Sequence, residues 1–208
     1  MSRDQDLTPG DYHAFLRSRR SVRRFLPSPV PGKILEHVLE TATWAPSAHN
    51  RQPWRFAVVA SRESRNYLAD RMGADFLRDL LADGLEEVKA REMVERSRAR
   101  IREAPVCIIL CLDPTLGDSY PDAFRQQAEL TMGVQSVALA GGTLLLAAHA
   151  EGLGGVWVCA PLFAPQTVRS ALDLPPNWEP QGMILLGFPD KIPDPRPRRP
   201  VAEVARFL

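Results

Sequence analysis

The chain has 208 residues, 45% of them hydrophobic and 25% charged, with 26 Lys and Arg set against 25 Asp and Glu. That apolar content at a formal charge of +1 supports one core and a single domain over residues 1–208, and argues against a disordered chain. It excludes the global basic field that draws nucleic acid or an anionic membrane, and no stretch approaches the roughly 18 uncharged apolar residues of a membrane span.

In chain order, the spacing predicts a short helix over 12–20. A second helix opens with Pro31 in its first turn, presents Ile34, Leu35, Val38, Leu39 and Ala42 on one face, and ends before Pro46. The run 54–60 reads as a strand and 62–72 as a helix. A charged, solvated helical stretch over 75–103 precedes a second strand at 105–112. The longest periodic segment, 122–151, carries few charges after Glu129 and predicts a central helix buried on most sides. Gly133, Gly141 and Gly142 inside it each cost about 1 kcal/mol against Ala, so packing must require small residues there. Strands at 156–159 and 183–188 flank a short helix at 164–172, giving an α+β mixture richer in helix than strand. The tail 189–208 holds too many prolines to fold locally and must lie on something else.

The near-zero charge hides a local patch. Five arginines fall within the eight residues Arg17 to Arg24, and a second cluster, Arg196, Arg198 and Arg199, stands between prolines near the other end. Cys107, Cys111 and Cys159 form no CxxC pair and read as reduced, buried residues. With a polar N-terminus lacking an apolar leader, they predict a cytoplasmic protein. The four histidines show no ligand spacing, so no metal site is expected. There is no GxSxG elbow and no phosphate-loop signature. Gly152-Leu153-Gly154-Gly155 precedes a strand instead of following one, which fails the dinucleotide fingerprint on order.

Three motifs carry what chemistry remains. Arg19-Arg20-Ser21-Val22-Arg23-Arg24-Phe25 joins fixed guanidinium charge to a hydroxyl where helix gives way to loop, and suits phosphate and polyol oxygens. The same cluster could equally be a solvated helix end or a nucleic-acid patch. Ala45-Pro46-Ser47-Ala48-His49-Asn50-Arg51-Gln52-Pro53-Trp54 is a loop stiffened by two prolines, with Ser, Asn and Gln able to read the edge of a planar ring, though its composition also fits an ordinary polar turn. Gly152 to Trp157, with Gly187-Phe188-Pro189 and the late arginines, combines close backbone approach with a second anion grip, or is merely a turn and a solvated tail.

These four segments, in this order and spanning 11–204, resemble the nitroreductase family of flavoproteins. The resemblance implies an α+β fold with a central mixed sheet flanked by helices, in an intertwined homodimer binding two non-covalent FMN molecules at the subunit interface. On matching motif positions it implies that Arg19, Arg20 and Ser21 hold the phosphate and ribityl chain. Arg23 would face the N1 and C2-carbonyl edge of the flavin, where reduction places negative charge. Pro46, Ser47 and Asn50, with Gln52 beside them, would reach the ring from the other subunit. Gly154 and Gly155 would approach the cofactor, Cys159 and Ala160 would lie near flavin N5, and Arg196 and Arg198, or Arg199, would complete the phosphate grip. No side chain acts as catalytic nucleophile: NAD(P)H delivers hydride to the flavin and a small-molecule acceptor, a nitroaromatic, quinone or related compound, collects it in a ping-pong cycle.

The basic N-terminal and C-terminal motifs also look like the flavin domain fused to the glutamate ligase of deazaflavin-coenzyme biosynthesis, implying reduction of a dehydro precursor of that coenzyme. Reductive dehalogenation and oxygen-dependent flavin fragmentation would begin from the same kind of FMN dimer, and 72–103 is the segment expected to vary with substrate. Two readings of another kind are a flavin-binding protein without turnover and a nucleic-acid binder using Arg17 to Arg24. The latter draws little support from 7% aromatic content and a charge of +1.

Overall fold

A computed structural model of the protein describes residues 8–208. Four strands, β1 (Trp54–Val59), β2 (Val106–Leu112), β3 (Gly154–Val158) and β4 (Glu179–Gly187), form a sheet in the order β1-β2-β4-β3. Every pairing among them is antiparallel. The parallel component of the sheet is a bridge of Ser21 to Gly155 on the outer edge of β3, held by the Val22 amide donating to the Gly155 carbonyl at 3.1 Å.

β2 is central, and all seven of its residues are buried. Its alternation explains the layering. Val106, Ile108, Leu110 and Leu112 face one apolar cluster with Leu35, Val38, Val137, Ala140 and Leu144, while Cys107, Ile109 and Cys111 face the other with Leu68, Met72, Ile101 and Val168. A strand buried on both faces reads in sequence as an unbroken apolar run, which is how Val106–Leu112 appears. The first face is covered by α2 (Gly32–Ala42) and α5 (Ala123–Ala150), the second by α3 (Arg62–Ala82), α4 (Glu87–Glu103) and α6 (Pro165–Leu172).

Several expected boundaries move. α1 is Pro9–Ser18, entered through a capping box in which Thr8 and Asp11 satisfy each other's backbone amides. α3 runs on to Ala82, ten residues beyond the expected end at Met72, and turns into α4 through Gly84 at φ 81°. The charged stretch is thus the end of one arm and the whole of the other arm of a helical hairpin. Its ion pairs, such as Arg91 with Glu87, are solvent-exposed and add little stability. The proline-rich tail does form one helical turn, α7 (Val201–Val204).

The central helix departs most from expectation. α5 buries a stripe that includes Ser136, Val137, Ala140, Gly141, Leu144, Ala147 and Ala148, yet only 33% of its most apolar 18-residue window is covered. Phe124 and Leu139 on its other face are 84% and 50% exposed. That window has a mean hydropathy of 1.5, so the helix has the length and composition of a membrane span, contrary to the sequence reading; here it packs on the sheet and on α2.

Candidate anion site and ring-reading loop

The two arginine clusters, more than 170 residues apart in the chain, are brought together by a short pairing of backbone. The Leu26 amide donates to the Phe188 carbonyl at 2.8 Å and the Asp190 amide to the Arg24 carbonyl at 3.0 Å. Phe25 bridges Pro189, and Arg24 pairs with Asp190 at 3.3 Å. β4 therefore delivers the tail directly beside the segment leaving α1. The result is a cavity of about 270 Å³ lined by Arg19, Arg20, Ser21, Arg23, Pro193, Asp194, Arg196 and Arg198. Arg196 and Arg198 line it, and Arg199 lies outside that lining.

Not all of this charge is free. Arg20 Nη1 donates to the carbonyls of Arg17, Ser18 and Arg19 at 2.7, 3.1 and 3.0 Å, closing the C-terminal end of α1 with a cation where the helix dipole favours one. Arg23 Nη1 reaches the Ser21 carbonyl at 3.3 Å, and Arg198 Nη1 reaches that of Arg196 at 3.2 Å. Each leaves guanidinium N–H groups for an anion, and Arg23, Arg196 and Arg198 are exposed.

Two neighbours escaped the sequence reading. Asp194 contributes the one carboxylate of the lining, against five arginines. His149, at the end of α5, stacks on Phe15 with ring centroids 5.0 Å apart and meets Ser18 Oγ through Nε2 at 2.6 Å. Burial, and then the charges of Arg19 and Arg20, hold its pKa below the ordinary value. No local signal could place His149 beside Ser18, 131 residues earlier.

Gly154 and Gly155 are buried in β3 and do not line the cavity. A β-carbon at Gly154 would come within 2.7 Å of Val22, and one at Gly155 within 2.8 Å of Leu145 and Leu186. Their close approach is of protein to protein, and they bear on the site by seating Ser21 and Val22 against the sheet. Cys159 is exposed at the end of β3, correcting its reading as buried, and its Sγ accepts from Trp157 Nε1 at 3.2 Å. Ala160 follows in a short 3-10 turn, Ala160–Phe163. Cys107 and Cys111 are buried as expected, which pushes both thiols up to about 12 and leaves them unreactive.

Pro46, Ser47, Asn50 and Gln52 lie between α2 and β1, in a loop that does not line the arginine cavity. His49, Asn50 and Gln52 all have φ near +50°. Ser47 Oγ accepts from the Gln52 amide at 3.1 Å, and Gln52 Nε2 donates to Asn50 Oδ1 at 3.2 Å. The Ala48 amide reaches Ser136 Oγ on α5 at 3.3 Å. Pro46, Asn50 and Gln52 are exposed, so the loop presents the side-chain amides of Asn50 and Gln52 at the surface.

Comparison with known proteins supplies the context. A 5,6-dimethylbenzimidazole synthase of Rhodospirillum rubrum is 32% identical over 196 residues, covering 93% of this chain and 86% of that protein. A Methanothermobacter thermautotrophicus protein assigned as an NADH dehydrogenase/NAD(P)H nitroreductase is 30% identical over 183 residues, 87% of this chain and 78% of its own. Among solved structures, an assigned nitroreductase of Desulfovibrio desulfuricans in complex with FMN superposes with a TM-score of 0.71 at 27% identity, covering 97% of this chain and 98% of that one. A BluB-like flavoprotein of Clostridium difficile shares the fold at a TM-score of 0.77 and 22% identity, over 95% and 98% of the two chains. The Nitroreductase family model matches residues 16–188, from the end of α1 through the strand that delivers the tail to the arginines, and the chain belongs to the nitroreductase family.

Proposed function

We propose that the chain is an FMN-dependent oxidoreductase that passes hydride from NAD(P)H to a nitroaromatic, quinone or related conjugated acceptor. The observation that carries this reading is the convergence of Arg19, Arg20, Ser21, Arg23, Arg196 and Arg198 on one cavity. A family of guanidinium donors with a hydroxyl fits a phosphate and the start of a polyol chain, and fits no uncharged ligand as well. The FMN complex of the Desulfovibrio relative is consistent with it.

Bound FMN would supply two-electron redox chemistry between NAD(P)H and the acceptor. This chain's residues bind, orient and tune. Arg19, Ser21, Arg196 and Arg198 grip the phosphate end, with Arg20 contributing what its capping of α1 leaves over. Arg23, two residues beyond Ser21, is assigned to the N1 and C2-carbonyl edge, where a fixed cation stabilises developing negative charge. Cys159 and Ala160 are assigned to the neighbourhood of N5.

Ser47, Asn50 and Gln52 read the ring of the partner subunit's flavin in a homodimer. Support for that assembly comes from the open face of α5 and from Trp44, Phe124 and Phe163, each more than 80% exposed in one protomer. The tail, with Val201, Val204, Phe207 and Leu208 exposed, offers further apolar surface to a second copy. The three free cysteines suit a cytoplasmic enzyme.

A second reading, formation of 5,6-dimethylbenzimidazole, is favoured by the 32% identity to the Rhodospirillum synthase. Both start from bound flavin, and one experiment separates them. The purified protein, reconstituted with FMN, is mixed anaerobically with NADPH or NADH and then given oxygen or an acceptor panel of nitroaromatics, quinones and the dehydro deazaflavin precursor. Bleaching of the flavin band by nicotinamide, with FMN recovered intact after acceptor reduction, supports the oxidoreductase. Conversion of the flavin to dimethylbenzimidazole, detected by mass spectrometry, supports the second reading. Protein that FMN cannot reconstitute refutes both.

A further inference from the structure

The loop that carries Ser47, Asn50 and Gln52 adopts a backbone that needs outside support. Left-handed φ at three non-glycine residues within four positions is uncommon, and persists only where the surroundings over-determine it. The loop's own hydrogen bonds, Asn50 amide to Ser47 carbonyl at 3.0 Å and Gln52 amide to Ser47 Oγ at 3.1 Å, lie at the surface, where water competes.

The residue between them is anchored differently. Arg51 Nη1 donates to the Leu116 carbonyl at 3.1 Å, Nη2 pairs with Asp118, and Nε stands 3.9 Å from Oε1 of Glu129. Glu129 projects from the second turn of α5 and is only 7% exposed. Its Oε1 accepts from the Asp118 amide at 3.1 Å, whereas Oε2 and Arg51 Nε have no hydrogen-bond partner. The approach is close: a β-carbon on Gly117 would fall 3.1 Å from Glu129 Oε1. A carboxylate buried in the central helix is costly unless a cation faces it, and among the described residues Arg51 is the cation paired with it.

We infer that Glu129 is a positioning residue that acts through Arg51, and that this pair of a buried carboxylate and a half-buried guanidinium sets the conformation in which Ser47, Asn50 and Gln52 are presented. Arg51 is the only loop residue whose side chain is tied to both the turn at 114–118 and α5. Fixing its guanidinium fixes the backbone on either side, where the left-handed residues stand. The inference deepens the proposed flavin site and rests on that reading for its functional meaning, but the clamp itself is a property of the chain.

The test uses the full chain, first without added flavin. Amide hydrogen exchange is followed at Ala48, Asn50, Arg51 and Gln52 in the unmodified protein, in Arg51→Met, in Glu129→Gln and in the double variant. Each single change should speed exchange in the loop by about tenfold or more, while α2 amides stay as they were. The double variant should match Arg51→Met, because Glu129 acts on the loop only through Arg51. Unchanged loop exchange, or effects that multiply in the double variant, would overturn the clamp. Arg51 is half-buried and peripheral to the core, so Arg51→Met carries the same test if Glu129→Gln does not fold. With FMN added, the visible circular dichroism of the flavin should change in both variants while the phosphorus resonance of its phosphate does not. A protein that binds no FMN would remove the proposed function and leave the exchange result standing.

Discussion

The indole of Trp157 lies in a slot made by two glycines, and filling that slot has a calculable effect. A β-carbon at Gly141 would come 2.2 Å from Cζ3 of Trp157 and 2.6 Å from Cδ1 of Leu110, and one at Gly182 would come 2.9 Å from the same indole. Gly141→Ala recovers about 1 kcal/mol of helix propensity. It also overpacks the core, at about 1–3 kcal/mol, and the upper part of that range applies because the added carbon meets a rigid ring and the Leu110 side chain at once. The net expectation is a loss of about 1–2 kcal/mol, or a fall in Tm of roughly 2–8 °C for a chain of this size. Urea unfolding followed by tryptophan fluorescence reads it, at one fixed protein concentration because a dimer's stability depends on concentration. The displaced indole also releases its bond to Cys159, so the rate at which that exposed thiol reacts with an aromatic disulfide should change, while the buried Cys107 and Cys111 stay silent. An unchanged or raised urea midpoint would refute the reasoning, since it would mean that the ring yields freely.

Arg19→Ala should weaken FMN retention by about tenfold, the worth of a charge-assisted hydrogen bond, whereas Arg23→Ala should slow flavin reduction more than it weakens retention; titration of flavin fluorescence and anaerobic stopped-flow separate the two. Asp194→Asn removes the lone carboxylate from the cavity lining and should tighten FMN a few-fold, an effect that shrinks as salt is added. His149 has its pKa lowered by burial and by Arg19 and Arg20, so the folded chain holds this proton less readily than the unfolded chain. Its contribution to stability is therefore present above about pH 6.5 and is lost as the pH falls through the folded-state pKa, and His149→Gln should flatten that limb of the pH–stability curve. Phosphate bound at Arg19 and Arg20 would offset their charge, and the His149 proton resonance should then titrate at higher pH. Leu139→Glu, on the open face of α5, should convert the proposed dimer to monomer in sedimentation velocity; an unchanged sedimentation coefficient would place the interface elsewhere.

Local chemistry decided much of the architecture, and the sequence shows it. The period of Leu35, Val38 and Ala42 and the unbroken apolar run Val106–Leu112 each name an element because the cause lies within a few residues. Where causes are distant, the reading fails. α3 continues past Met72 because α4, α6 and the Thr167 contact to Asp75 support its polar second half, and the chain turns only at Gly84. α5 is uncharged from Leu130 to Ala148, which looks like burial on all sides; one stripe meets the sheet and the rest is left for other surface.

The candidate site divides the same way. Composition and order of motifs marked the arginines, the serine and the ring-reading loop, because guanidinium and amide chemistry is written in residue type. That the two arginine clusters share one cavity depends on Leu26 pairing with Phe188 and Asp190 with Arg24, contacts formed only when β4 lies along the sheet. Asp194 enters the lining for the same reason, while His149 reaches Ser18 and Glu129 meets Arg51 across 131 and 78 residues of chain. The sequence by itself determined which groups could hold an anion and read a planar ring. Only the tertiary structure decided which of them converge, because hydrogen bonds and charge act over a few ångströms of space, whatever the distance along the chain.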